Sequence, residues 1–170
     1  MPLVDGGPVP DGECWFRVLL ETNRTASGAL HHSALKGRGA FNPSPGKPWT
    51  HELSGRLVSL AGASDDIVAQ AEAFAARSRQ NFVDRGKPVP SKCRLAGWIC
   101  ARTTEIARTF ANGVEAKVVY TPNADIAHAD VAAFNATADD GLEPLRAHLQ
   151  KSVRVVTKAD VAKLLENCGA

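Results

Sequence analysis

The chain has 170 residues, 44% hydrophobic and 22% charged, with a formal net charge of +2 at pH 7. That length fits one domain able to bury a core without staples, and the composition excludes a disordered chain and a coiled coil. So small a net charge does not by itself select nucleic acid or a membrane surface as partner.

Residues 1–12 carry Gly6, Gly7, Pro8, Pro10 and Gly12 and read as a flexible arm at the head of a single globular domain spanning 1–170. Residues 14–21, CWFRVLLE, suit a strand, and being apolar on both faces it is expected to be central. From Thr22 to Pro48 runs a long loop rich in Gly and Pro, with one short turn at Ala29–Leu35. A loop of that length in a compact domain is usually functional or disordered.

Residues 64–84 form the clearest helix. Ser64 suits the N-cap and Asp65 and Asp66 the positive end of the helix dipole. Ile67, Ala71, Phe74, Ala75, Ser78 and Phe82 share one stripe at helical spacing, and Gly86 and Pro88 end the run. A strand follows at 93–100, then a short helix at 104–111 closed by Gly113, then a strand at 114–121 with alternating apolar residues. Residues 122–125 make a turn, 128–134 a further strand, and Asp139 or Asp140 caps a helix running to about Lys151. A short strand at 153–156 leads to a last helix capped by Thr157 and Asp160. This order predicts a compact α+β domain: a mixed, mostly antiparallel sheet with helices packed on it and a long N-terminal loop.

The motif search excludes the common chemistries. Gly46–Lys47 is followed by Pro48, which has no N–H to offer a phosphate. Gly37–Arg38–Gly39 lacks the third glycine of a dinucleotide fingerprint, and His51–Glu52 lacks the second histidine of a zinc-protease helix, Gly55 standing in its place. Cys14, Cys93, Cys100 and Cys168 form no C-x-x-C pair, so a zinc ribbon is not expected. No metal and no cofactor are expected. The opening MPLVDGGPVPDG lacks the basic and apolar regions of a signal peptide, and no run is long enough for a membrane span. A cytoplasmic protein with reduced thiols and no membrane contact is the expectation.

Three constellations remain. Two or three of His31, His32, His51 and His128 would hold a metal or an anion with Asp130 if they converged, although no ligand spacing supports it. Cys100 would be a nucleophile if the helix beginning near Arg102 and Thr103 lowered its pKa, with His128 as its base. Lys36, Arg38 and Arg102 are ligand-binding candidates on basic stretches, with Trp49 and Trp98 either stacking bases or filling the core. The segment 121–150 is acidic by contrast.

The segments FRVLLE, SALKGRGAF and VVYTPNADIAHAD, spanning Trp15 to Asp130, resemble small uncharacterised bacterial proteins with an Ala-Phe loop and a late Pro…Ala-His-Ala segment. An early strand arginine followed by Gly-Ala-Phe-Asn also faintly resembles RES-type ADP-ribosyltransferase domains. That resemblance implies that Arg17 contacts a dinucleotide, although the GGRW-like motif and a late acidic residue have no counterpart. With no complete catalytic set, the leading expectation is a non-catalytic binding or accessory domain of a bacterial system, acting through a protein partner. The alternatives are a nucleotide-ligand enzyme using Arg17 and His128, and a nucleic-acid-binding domain. Catalytic candidates are Arg17, Cys100 and His128.

Overall fold

The computed structural model describes residues 2–31, 34–35, 41–166 and 168. Eight strands form one strongly curled sheet. They are β1 (Cys14–Leu20), β2 (Asn42–Pro43), β3 (His51–Leu57), β4 (Leu95–Arg102), β5 (Arg108–Thr109), β6 (Glu115–Tyr120), β7 (His128–Phe134) and β8 (Arg154–Thr157). The order across the sheet is β5-β6-β7-β3-β1-β4-β8, with β2 also on β3, and every pairing among the described residues is antiparallel. Among the described residues the α-helices are α1 (Ser64–Asp84), α2 (Thr103–Ile106), α3 (Glu143–Ser152) and α4 (Ala162–Leu165). The expected α+β architecture is the one observed.

Successive strand side chains point to opposite faces, so β1 feeds two cores. Trp15 and Leu19 join Leu53, Leu57, Ile99, Val118 and Val131 beneath Ile106 of α2 and Leu145 and Leu149 of α3. Cys14 and Phe16 join Trp98 and Cys100 beneath Ile67 and Ala71 of α1 and Leu164 of α4. Each large apolar side chain so buried contributes about 1.5–3 kcal/mol. This double use explains why β1 is apolar on both faces.

Helix α1 spans the residues its periodicity predicts, and Ile67, Ala71 and Ala75 are its buried stripe. Its cap differs: Ala63 occupies the N-cap, and its N–H donates to Asp66 Oδ2 at 3.1 Å. The fourth strand starts two residues later than expected, because Cys93 is held in a turn by Cys93 N–H donating to Pro90 O and Arg79 Nη1 donating to Cys93 O. The helix expected over 104–111 stops after one turn. Ala107 is extended, and Arg108 and Thr109 pair with Ala116 and Glu115 across a turn whose Gly113 has φ of 84°. The segment expected to be a flexible arm pairs its backbone with β6: Gly6 N–H donates to Tyr120 O and Val9 N–H to Val118 O.

Strand β3 was hidden inside the stretch between the long loop and α1. Gly55 is required there, since a Cβ would stand 2.3 Å from Trp15 Cε2 and 2.6 Å from Phe16 O. The expectation of reduced thiols fails at one pair, for a disulfide joins Cys14 to Cys168 across 154 positions of sequence. No helix among the described residues is long and apolar enough to cross a membrane.

Candidate functional site

The neighbours β1 and β3 pair only at Trp15–Leu57 and Phe16–Arg56, and beyond that they diverge. Arg17 fills the opening. Its Nη1 donates to Ser54 O at 2.6 Å, taking the place of a strand-to-strand N–H. Burial lowers the Arg17 guanidinium from its ordinary value, and the charge of Asp130 on β7 works against that shift. The divergence leaves a cavity of about 170 Å³. Phe16, Val18 and Phe74 supply apolar walls, and Arg17, Ser54, Arg56, Gln70, Asp125 and His128 supply polar ones.

Three groups of this wall are fixed by their own networks. Arg56 donates from Nε to Asp125 Oδ2 at 2.6 Å and from Nη2 to Oδ1 at 3.2 Å, and its guanidinium lies over the Phe16 ring. Partial burial of Asp125 opposes its ionisation, but the bonds from Arg56 and from Ala127 N–H outweigh it and hold the carboxyl below the usual range. His128 Nδ1 sits 2.8 Å from Thr121 O, and only an Nδ1–H ring can bond to that carbonyl. Its Nε2 then lies 3.7 Å from Asp130 Oδ1. Asp130 is 2% exposed, and its other oxygen accepts from Thr121 Oγ1 at 2.6 Å.

Two polar atoms of the wall are left over. Arg56 Nη1, a donor, and Gln70 Oε1, an acceptor, are buried with no hydrogen-bond partner among the described residues. A buried polar group without a partner costs about 1–3 kcal/mol, so Arg56 and Gln70, both residues of the cavity wall, each carry one polar atom that a small shift of the side chain would let a ligand satisfy.

Of the expected catalytic residues, the structure brings Arg17 and His128 to this cavity and excludes Cys100. The Cys100 side chain lies on β4 in the core under α1, and its thiol donates to Cys168 O at 3.3 Å. Burial pushes that thiol up to about 12, outweighing the pull of the Arg154 charge, so the expected activation by a helix start does not operate. The following helix, α2, has only four residues. Arg102 ends β4 outside the cavity wall, with its N–H donating to Glu105 Oε2 at 2.9 Å. Lys36, Arg38 and His32 lie outside the described residues. Trp49 and Trp98 are buried, so neither indole is a stacking platform. His51 and His128 do not converge: His51 pairs opposite Ala133 at one end of β3–β7 and His128 opposite Arg56 at the other.

Sequence reasoning missed Arg56, Asp125 and Gln70 as site residues. Arg56 and Asp125 are 69 positions apart and meet only because β3 and β7 are neighbours. It also missed a cluster of three buried sulfurs, Cys14, Cys100 and Cys168, all within 4.8 Å of one another. No protein-family model, no curated protein and no solved structure matches the chain.

Proposed function

We propose that this chain is a non-catalytic binding domain whose β1–β3 cleft holds a small, largely apolar organic acid. The unmet pair Arg56 Nη1 and Gln70 Oε1 beside the rings of Phe16 and Phe74 carries this reading. A carboxylate satisfies the donor, a hydroxyl or N–H on the ligand satisfies the acceptor, and an apolar body fills the rest. At about 170 Å³ the cavity is smaller than the ~300–1,000 Å³ of drug-sized sites, which favours a metabolite fragment over a whole dinucleotide. Response to a protein partner then follows from what the ligand does to α1, which carries Gln70 and Phe74.

The test is a thermal-shift and NMR titration with benzoate and 4-hydroxybenzoate. A ligand at 100 times its dissociation constant raises stability by ~2.7 kcal/mol. Binding should weaken at least tenfold in Arg56→Gln and less in Gln70→Ala, since a charged bond contributes more than a neutral one. Equal affinity in Arg56→Gln, or no shift with any small acid, overturns the reading.

A second reading rests on His128, whose ring is oriented by Thr121 O and faces Asp130, the arrangement of an oriented acid–base. It supports an enzyme acting on a nucleotide-containing ligand through Arg17 and His128. Turnover of such a ligand, abolished in His128→Gln while the thermal midpoint stays in place, would favour it over simple binding.

A further inference from the structure

We propose that, once the Cys14–Cys168 disulfide is reduced, Cys14, Cys100 and Cys168 form a three-thiolate site for one soft monovalent cation, Cu(I). The fold supplies the geometry. Cys14 opens β1 opposite Arg102, and Cys100 lies two residues earlier on the neighbouring β4, opposite Phe16. Side chains two apart on a strand share a face, so both sulfurs point to the core under α1. The turn after α4 returns Cys168 to the same point, and all three sulfurs lie within 4.8 Å of one another.

Ligand number and burial select the metal. Structural zinc takes four protein ligands, and three-ligand zinc keeps water in the fourth position. Among the described residues no histidine, carboxylate or fourth cysteine joins the three sulfurs. The cysteines are 5%, 0% and 0% exposed, so water does not reach a fourth position. Thiolates without hard ligands favour Cu(I), which accepts three-coordination. The surrounding Phe16, Trp98 and Leu164 make an apolar shell that keeps the metal reduced.

The chemistry balances with a dithiol as reductant. The dithiol gives two electrons and two protons to the S–S bond, which breaks to two thiols, and the dithiol closes to its own disulfide. Cu(I) then forms three Cu–S bonds while three thiol protons pass to solvent, and copper stays monovalent.

The test uses full-length protein reduced with dithiothreitol, freed of it under anaerobic conditions, and titrated with Cu(I) held by a chromophoric chelator. One equivalent should bind with thiolate-to-copper charge-transfer absorption, and X-ray absorption should count three sulfurs. Outer-shell changes at metal sites already cost about 10–100-fold in affinity, so Cys100→Ala, which removes a ligand, should lose at least that much. Cys93→Ser should bind as the wild type does, since Cys93 is a free cysteine outside the cluster. No copper binding, a count of two sulfurs, or undiminished affinity in Cys100→Ala overturns the proposal. Should Cys100→Ala fail to fold, the sulfur count on the wild type decides.

Discussion

Gly55 shows how one missing side chain shapes the molecule. It lies on β3 where Trp15 crosses from β1, and the indole occupies the space a Cβ would take. Trp15 Nε1 in turn donates to Ala129 O on β7 at 3.1 Å, so one ring ties three neighbouring strands together. Gly55→Ala must push that ring or the Phe16 carbonyl away. Overpacking a tight core costs about 1–3 kcal/mol, and here the upper end or beyond is expected because backbone is among the obstacles. Urea denaturation would read it, with Gly141→Ala as the control: no atom lies within 4 Å there, and the change should stay within about 0.5 kcal/mol. Asp125 gives a prediction in pH. Its folded pKa is depressed and its unfolded value is near ~3.9, so its stabilising effect is present above that value and is lost as pH falls through the folded pKa. Between pH 6 and pH 3 the urea midpoint should therefore fall more steeply for the wild type than for Asp125→Asn. Parallel slopes would mean that the Arg56 bonds add nothing to folding.

At the level of elements, the divergence of β1 from β3 is the feature on which the cleft depends. Arg17 holds the divergent strands by its bond to Ser54 O, and it faces the charge of the buried Asp130. Removing a buried donor and so leaving its partner unsatisfied costs about 1–3 kcal/mol. Arg17→Met should lose that much in denaturant titration, and adding Asp130→Asn should restore part of it; additive losses would show the two residues to be uncoupled. The sequence shows some of these elements and hides others for physical reasons. Helix α1 is legible because its stripe repeats over 21 residues with acidic groups in its first turn. Strand β3 alternates in burial over His51–Leu57, yet a glycine and a histidine take two of its inward positions, so hydropathy conceals the period. Helix α2 fails as an expectation because Phe110 and Ile106 satisfy helical spacing while Arg108 and Thr109 find a strand partner in β6. Arg17 and His128 were legible as polar residues on apolar strands. Asp130, two positions from His128 on the same strand, was legible beside it, whereas the meeting of Arg56 with Asp125 depends on strand order, which no local pattern encodes.

For the whole molecule, the long-range tie is the Cys14–Cys168 disulfide, which links the first strand to the last turn. The same distance in sequence that hides the pair from any spacing rule makes it effective. A cross-link restricts the unfolded chain more as the loop it closes grows, and this loop takes in nearly the entire chain. Disulfides typically contribute about 2–4 kcal/mol, and a loop this long belongs at the upper end. The native contacts at that end are also substantial, because Leu164 and Cys168 are fully buried against β1 and β4. Dithiothreitol should therefore lower the urea midpoint of the wild type without abolishing folding. Cys14→Ser should show the lowered midpoint from the outset and respond to the reductant no further. If the wild type were indifferent to the reductant, the two ends of the chain would be held by packing alone, through Leu164 and the apolar cluster beneath α1.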